Sequence, residues 1–136
     1  MRAVVIGLTV ALTACASIGG RLLTASDDLE ERADQFYDEV RHDQQDSAPS
    51  VEEADNLARA AADFRRAVEQ GRPREELDAA FEEIARPYHI LRGYYDARAA
   101  DPVTRGLFQD VTEAYLDVEG ALRYRLSEFS SENKVR

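Results

Sequence analysis

Residues 77–95 read LDAAFEEIARPYHILRGYY, and this stretch decides the fold. Leu77, Phe81, Ile84, Tyr88, Leu91 and Tyr95 recur three and four residues apart, the repeat of one face of a helix. Strand-like alternation is absent. Pro87 falls inside the run. It removes one helical hydrogen bond and presses on the carbonyl of Glu83, a cost of about 3 kcal/mol. Because the apolar spacing keeps its phase across Pro87, the sequence predicts a kinked helix over residues 73–99 rather than two elements.

The same repeat extends in both directions. Downstream, Asp101-Pro102 reads as an N-cap and first helical residue, opening a helix over 102–129. Its stripe is Phe108, Val111, Tyr115, Val118, Leu122, Leu126 and Phe129. Upstream, Gly71 suits the left-handed residue that ends a helix, and Pro73 suits the first turn of the next. The helix before Gly71 spans 51–70, with Ala54, Leu57, Ala61, Phe64 and Val68 on its face and Ser50 with Glu53 as a capping box. Ser47-Ala48-Pro49-Ser50 breaks the pattern. Ahead of it lies a helix over 27–45, capped by Ser26, with Leu29, Ala33, Phe36 and Val40 aligned.

Four amphipathic stripes joined by short links pack most simply as an antiparallel up-and-down four-helix bundle, all-α, with the third helix kinked near Pro87. On this reading the third and fourth helices are the longer pair. The bundle occupies residues 26–130 and a polar tail 131–136. A partial match to a tetratricopeptide helix at Ala60, Phe64 and Ala67 does not repeat in the next 34-residue window, so a repeat architecture is rejected.

Residues 1–20 read MRAVVIGLTVALTACASIGG. One arginine precedes an apolar run from Ala3 to Leu12, shorter than the roughly 20 residues of a membrane span. That order describes an export signal. Leu12-Thr13-Ala14-Cys15 resembles the lipobox of bacterial lipoproteins: a large aliphatic residue, two small ones, then cysteine. The resemblance implies a signal peptide over 1–14, diacylglycerol on the Cys15 thiol, cleavage before Cys15 and acylation of the new amino group. Residues 15–25 would then be lipidated cysteine and tether. With Ala16 rather than Asp after the cysteine, the resemblance further implies the periplasmic face of an outer membrane. Ala14-Cys15-Ala16 also fits the cleavage site of an ordinary signal peptide, which would discard the cysteine.

The chain has 136 residues and a formal net charge of −10, from 27 Asp and Glu against 17 Lys and Arg. Such a balance opposes nucleic-acid binding, where cations must displace the counterions of phosphate. A hydrophobic content of 44% rules out a wholly disordered chain. The acidity lies early, since residues 27–55 hold twelve carboxylates and two arginines. This stretch reads as a solvated face, or as a docking surface for a basic partner or divalent cations.

Sites that bundles often house find little support. A covalent haem needs Cys-x-x-Cys-His, and Met1 is the only methionine for a Met/His haem. A di-iron site takes two Glu-x-x-His pairs, whereas Glu39 with His42 supplies one and Arg86 stands where His89 would need a glutamate. His42 reads as a surface or capping residue at a helix C-terminus. No nucleophile–base motif, phosphate loop or calcium loop is present. The sequence therefore assigns no catalytic residue, no metal and no cofactor.

The remaining candidate is a partner-binding set in RPYHILRGYYDAR, residues 86–98: Arg86, His89, Arg92, Tyr94, Tyr95 and Arg98. Tyr94 and Tyr95 diverge by about 100° on a helix, so one is expected to face outward beside Arg92 and Arg98. Exposed tyrosine with arginine is the usual composition of an interaction hot spot. Gly93, Gly106 and Gly120 are expected to allow close helix approach or to leave a groove. The leading functional expectation is a non-enzymatic lipoprotein, held to the membrane by its lipid and acting on a protein partner in envelope assembly, as a scaffold or like a pilot lipoprotein. The alternative is a periplasmic bundle binding a small ligand or metal. The sequence does not define an oligomeric state.

Overall fold

The computed structural model describes the backbone of residues 12–43, 47–97 and 101–132, and the side chains of 20–43, 47–97 and 101–123. The described residues form four helices and no strand: α1 (Leu12–His42), α2 (Ala48–Glu69), α3 (Arg74–Ala97) and α4 (Pro102–Glu132). The apolar repeat explains why. Leu29, Ala33, Phe36 and Val40 of α1 and Ala54, Leu57 and Phe64 of α2 have no solvent exposure. Ile84, Leu91, Val111 and Val118 complete this dry centre from α3 and α4. Burying a Leu, Ile or Phe side chain contributes about 1.5–3 kcal/mol, and this offsets the weak intrinsic stability of single helices in water. Leu126 and Phe129 lie beyond the described side chains.

Two helix starts differ from the sequence expectation. α1 reaches back to Leu12, so residues 17–25, expected as a tether, are helical. The stripe continues upstream through Leu22, 1% exposed, with Ala25 packed against the core. Ser26 is therefore not an N-cap. It is buried mid-helix, and its hydroxyl donates to the Leu23 carbonyl at 2.8 Å. α2 likewise starts one turn before the expected capping box. Ser47 takes the extended N-cap conformation, Pro49 sits in the first turn, and the buried Ser50 hydroxyl donates to the Ser47 carbonyl at 2.8 Å. Of the expected signal segment 1–14, only Leu12–Ala14 fall among the described residues.

Other boundaries fall where turn chemistry puts them. Gly71 adopts φ +63°. Its N–H donates to Val68 O at 3.0 Å, and that of Arg72 donates to Ala67 O at 3.1 Å, the paired bonds that close a helix through a left-handed residue. Asp101 Oδ2 accepts from the Val103 and Thr104 N–H groups at 3.1 and 3.4 Å, capping α4. α3 is unbroken across Pro87. The relative lengths depart from expectation: α1 and α4 have 31 residues each, against 22 in α2 and 24 in α3.

Backbones approach closely along α1–α2, α1–α4 and α2–α3. Ion pairs tie two of these seams from outside: Arg32 to Asp110 at 3.2 Å, and Arg65 to Asp27 and Glu30 at 2.5 and 3.6 Å. α3 and α4 lack an extended backbone approach of this kind. Aromatic side chains fill the space between them. Tyr88 stacks on Tyr115 with centroids 3.9 Å apart, Phe81 on Tyr115 at 5.1 Å, and Tyr95 on Phe108 at 5.1 Å. From α1, Phe36 meets Tyr95 edge-to-face at 5.7 Å and Phe108 in a tilted pair at 5.4 Å.

Candidate functional site: a trough between the third and fourth helices

Side chains as large as tyrosine hold α3 and α4 apart, and the outer side of that seam is left open. The result is a trough of about 500 Å³. Its floor is Tyr88, Tyr95 and Phe108. Arg92 and Asp96 line it from α3, and Arg105, Gln109, Thr112 and Leu116 from α4. The four α4 residues are spaced three and four apart, so one helical face forms a continuous wall. Arg92, Arg105 and Leu116 are exposed, Leu116 at 53%.

The trough gathers part of the expected set. Arg92 and Tyr95 line it. Tyr94 does not, and neither tyrosine is the outward-facing one that the sequence led us to expect. Tyr95 is 6% exposed and packs on Phe108, while Tyr94 is half-buried, within 3.5 Å of the Ser47 hydroxyl. The 100° divergence is present, but it sends one ring to the core and the other to the start of α2. Arg86 and His89 are exposed outside the trough. Arg86 pairs with Glu83 at 3.3 Å, and His89 sets its ring against Tyr88 and Tyr115 at 5.2 and 6.1 Å. Arg98 lies outside the described residues. Arg105, Phe108, Gln109, Thr112 and Leu116 were missed. Their signal was the polar-to-apolar edge beside the α4 stripe.

The trough offers hydrogen-bond donors beside aromatic surface. Two guanidiniums donate hydrogen bonds in a fixed fork. Arg92 makes a loose pair with Asp96 at 3.8 Å. Gln109 and Thr112 add neutral polar groups beside an aromatic floor. Tyr88 is 1% exposed, and its hydroxyl has no hydrogen-bond partner among the described residues. Burial pushes the phenol of its neighbour Tyr115 up to about 12, with Glu119 adding to the effect. The three glycines expected to allow close approach do not serve that end, because a Cβ at Gly93, Gly106 or Gly120 would meet nothing within 4 Å.

Elsewhere, His42 Nδ1 donates to the Asp38 carbonyl at 2.6 Å, capping the last turn of α1. The acidic stretch is partly neutralised in place, Asp28 by Arg32 at 3.3 Å and Asp38 by Arg41 at 3.3 Å. Among the described residues, no group of three or more His, Cys, Asp or Glu is placed to hold a metal ion. No described helix is long and apolar enough to cross a membrane. No family model, curated protein or solved structure matches the chain.

Proposed function

We propose that this chain is a lipid-anchored, periplasmic helical bundle that acts without catalysis, by contact with a protein partner through the α3–α4 trough. The supporting observation is the open seam itself: an aromatic floor beside exposed Arg92, Arg105 and Leu116, the composition of an interaction hot spot. In this reading the helices run up and down antiparallel and α3 bends at Pro87. The close approach of Phe36 to Phe108 and of Arg32 to Asp110, with numbers falling on one helix as they rise on the other, supports the antiparallel sense for α1 and α4. Lipidation at Cys15 rests on the lipobox resemblance, and sorting to the outer membrane rests on Ala16. With α1 helical from Leu12, lipid and body would be joined by helix rather than by a slack tether.

The test is sedimentation of gently solubilised envelopes. The wild-type chain is expected in a complex well above its own 15.2 kDa, and Leu116→Asp is expected to release it as a free chain. A wild-type chain that sediments alone contradicts the contact reading. A second reading, a small-ligand binder, draws on the trough volume, which lies within the roughly 300–1,000 Å³ of ligand pockets. A small ligand retained through purification in wild type and lost in Leu116→Asp would favour it.

A further inference from the structure

We propose that the end of the molecule built by α1 and α4 alone lies against an anionic phospholipid surface, with Leu126 and Phe129 as a second membrane contact beside Cys15. This deepens the lipid-anchored reading above and rests on it.

Register is the first argument. Arg32 stands opposite Asp110 and Phe36 opposite Phe108. The same register sets the buried Leu22 opposite the buried Leu122. Carried on, it sets Ile18 opposite Leu126 and Cys15 opposite Phe129, and both stripes keep their three-and-four spacing to these positions. On α2, Arg65 pairs with Asp27 and Glu30, so α2 ends at Glu69 within a turn of the level of Leu22. α3 starts at Arg74, just after the turn at Gly71. Residues 12–21 of α1 and 123–132 of α4 run on past that turn, ten residues or about 15 Å each. Two helices cover less of each other's apolar stripe than four do, so this end has need of a further apolar neighbour.

Charge says which neighbour. Residues 12–26 and 119–136 hold five cations and three carboxylates, against twelve and twenty-four in the rest of the chain. One of the three carboxylates, Glu119, pairs with Arg123 at 3.5 Å. Anionic headgroups repel the acidic body and attract this end, so charge turns the molecule end-on to the surface. The same excess of cations opposes end-to-end pairing of two copies. No described helix is long and apolar enough to cross the bilayer, so the contact is with its surface. An acyl group alone leaves the body free to swing, whereas a second contact one helix away fixes its tilt.

The chain has no tryptophan, so Phe129→Trp gives a single fluorescent reporter at this end. Val103→Trp gives one at the other end of α4, twenty-six residues or about 39 Å away. Each variant is expressed from the full sequence, purified with any lipid it carries, and mixed with phosphatidylglycerol vesicles brominated in the upper acyl chain. Emission of Phe129→Trp is expected to fall by about half, as for a ring at the interface, and that of Val103→Trp to stay unchanged. Adding Leu126→Asp to Phe129→Trp is expected to restore most of the emission, and brominated phosphatidylcholine to quench less than phosphatidylglycerol. Unchanged circular dichroism checks the fold of each variant. Quenching that persists with Leu126→Asp would mean that the acyl group alone brings the ring to the bilayer, and would overturn the proposal. Equal quenching of the two reporters, or by the two lipids, would overturn it too. A blue shift of Phe129→Trp that grows with protein concentration in the absence of vesicles would overturn it in favour of a second copy. If palmitate label enters the chain while Phe129→Trp stays unquenched, this contact falls and the anchor stands. If no label enters and added vesicles still quench, the anchor falls and this contact stands.

Discussion

Phe36 has no solvent exposure and touches Tyr95 of α3 and Phe108 of α4, so one ring links three helices. Truncating such a side chain removes its burial and leaves a cavity. Phe36→Ala is expected to cost about 3–5 kcal/mol in urea unfolding, and a loss below about 1 kcal/mol would show that the site collapses without it. Tyr88 gives the opposite expectation. Its buried hydroxyl lacks a partner among the described residues, so Tyr88→Phe removes an unrewarded desolvation cost and is expected to be neutral or stabilising by about 1 kcal/mol. Destabilisation would mean that the hydroxyl holds a bond to water or ligand. At Tyr115 the phenol is raised in the fold from an ordinary 10.0 to about 12. The neutral form is favoured by folding, so its contribution is fully present below pH 10 and is lost as pH rises from 10 toward 12. Phenolate absorbance of wild type against Tyr115→Phe checks this. Titration of Tyr115 at its ordinary value would contradict the burial.

At the scale of the element, the ends of α2 and α4 are set by single residues. Gly71 holds φ +63° with open space around a would-be Cβ, so Gly71→Ala is expected to cost about 1 kcal/mol, from backbone strain and not from collision. By contrast, Gly93, Gly106 and Gly120 lie inside helices with nothing near them. Replacing each by alanine is expected to stabilise by roughly 0.5–1 kcal/mol in thermal unfolding. Destabilisation at any of them would reveal a close approach after all. The stripes were legible in the sequence because the buried positions follow the helical period from Leu29 to Val40, Ala54 to Phe64, Leu77 to Tyr95 and Phe108 to Leu122, with Val68 and Phe81 only partly buried. The starts of α1 and α2 were not, because Ser26 and Ser50 look like caps by residue type. Both hydroxyls are instead satisfied inside the helix, by the Leu23 and Ser47 carbonyls. The periodicity of Leu22, Ala25 and Leu29 outweighed the serine. The trough was only half legible. Stripes report which residues face inward, but not how far apart stacked tyrosines hold two helices.

At the scale of the whole molecule, the proposed anchor at Cys15 stands at one end of α1 and the trough some 32 Å along it. Labelled palmitate is expected to enter the wild-type chain and to be lost on Cys15→Ser, since one or more acyl chains supply about 0.8 kcal/mol per buried methylene. Label surviving that substitution would remove the anchor. Residues 27–55 hold twelve carboxylates against two arginines, and α3 and α4 together hold twelve against six, so repulsion between like-charged copies favours dispersal. The most direct test of contact at the trough places a photo-crosslinking phenylalanine derivative at Gln109, inside the trough, and in a parallel strain at Arg59, on α2 away from it. The proposed contact predicts a discrete crosslinked species from Gln109 and none from Arg59. A Gln109 probe that stays uncrosslinked in intact cells, or that yields the same products as Arg59, would contradict it.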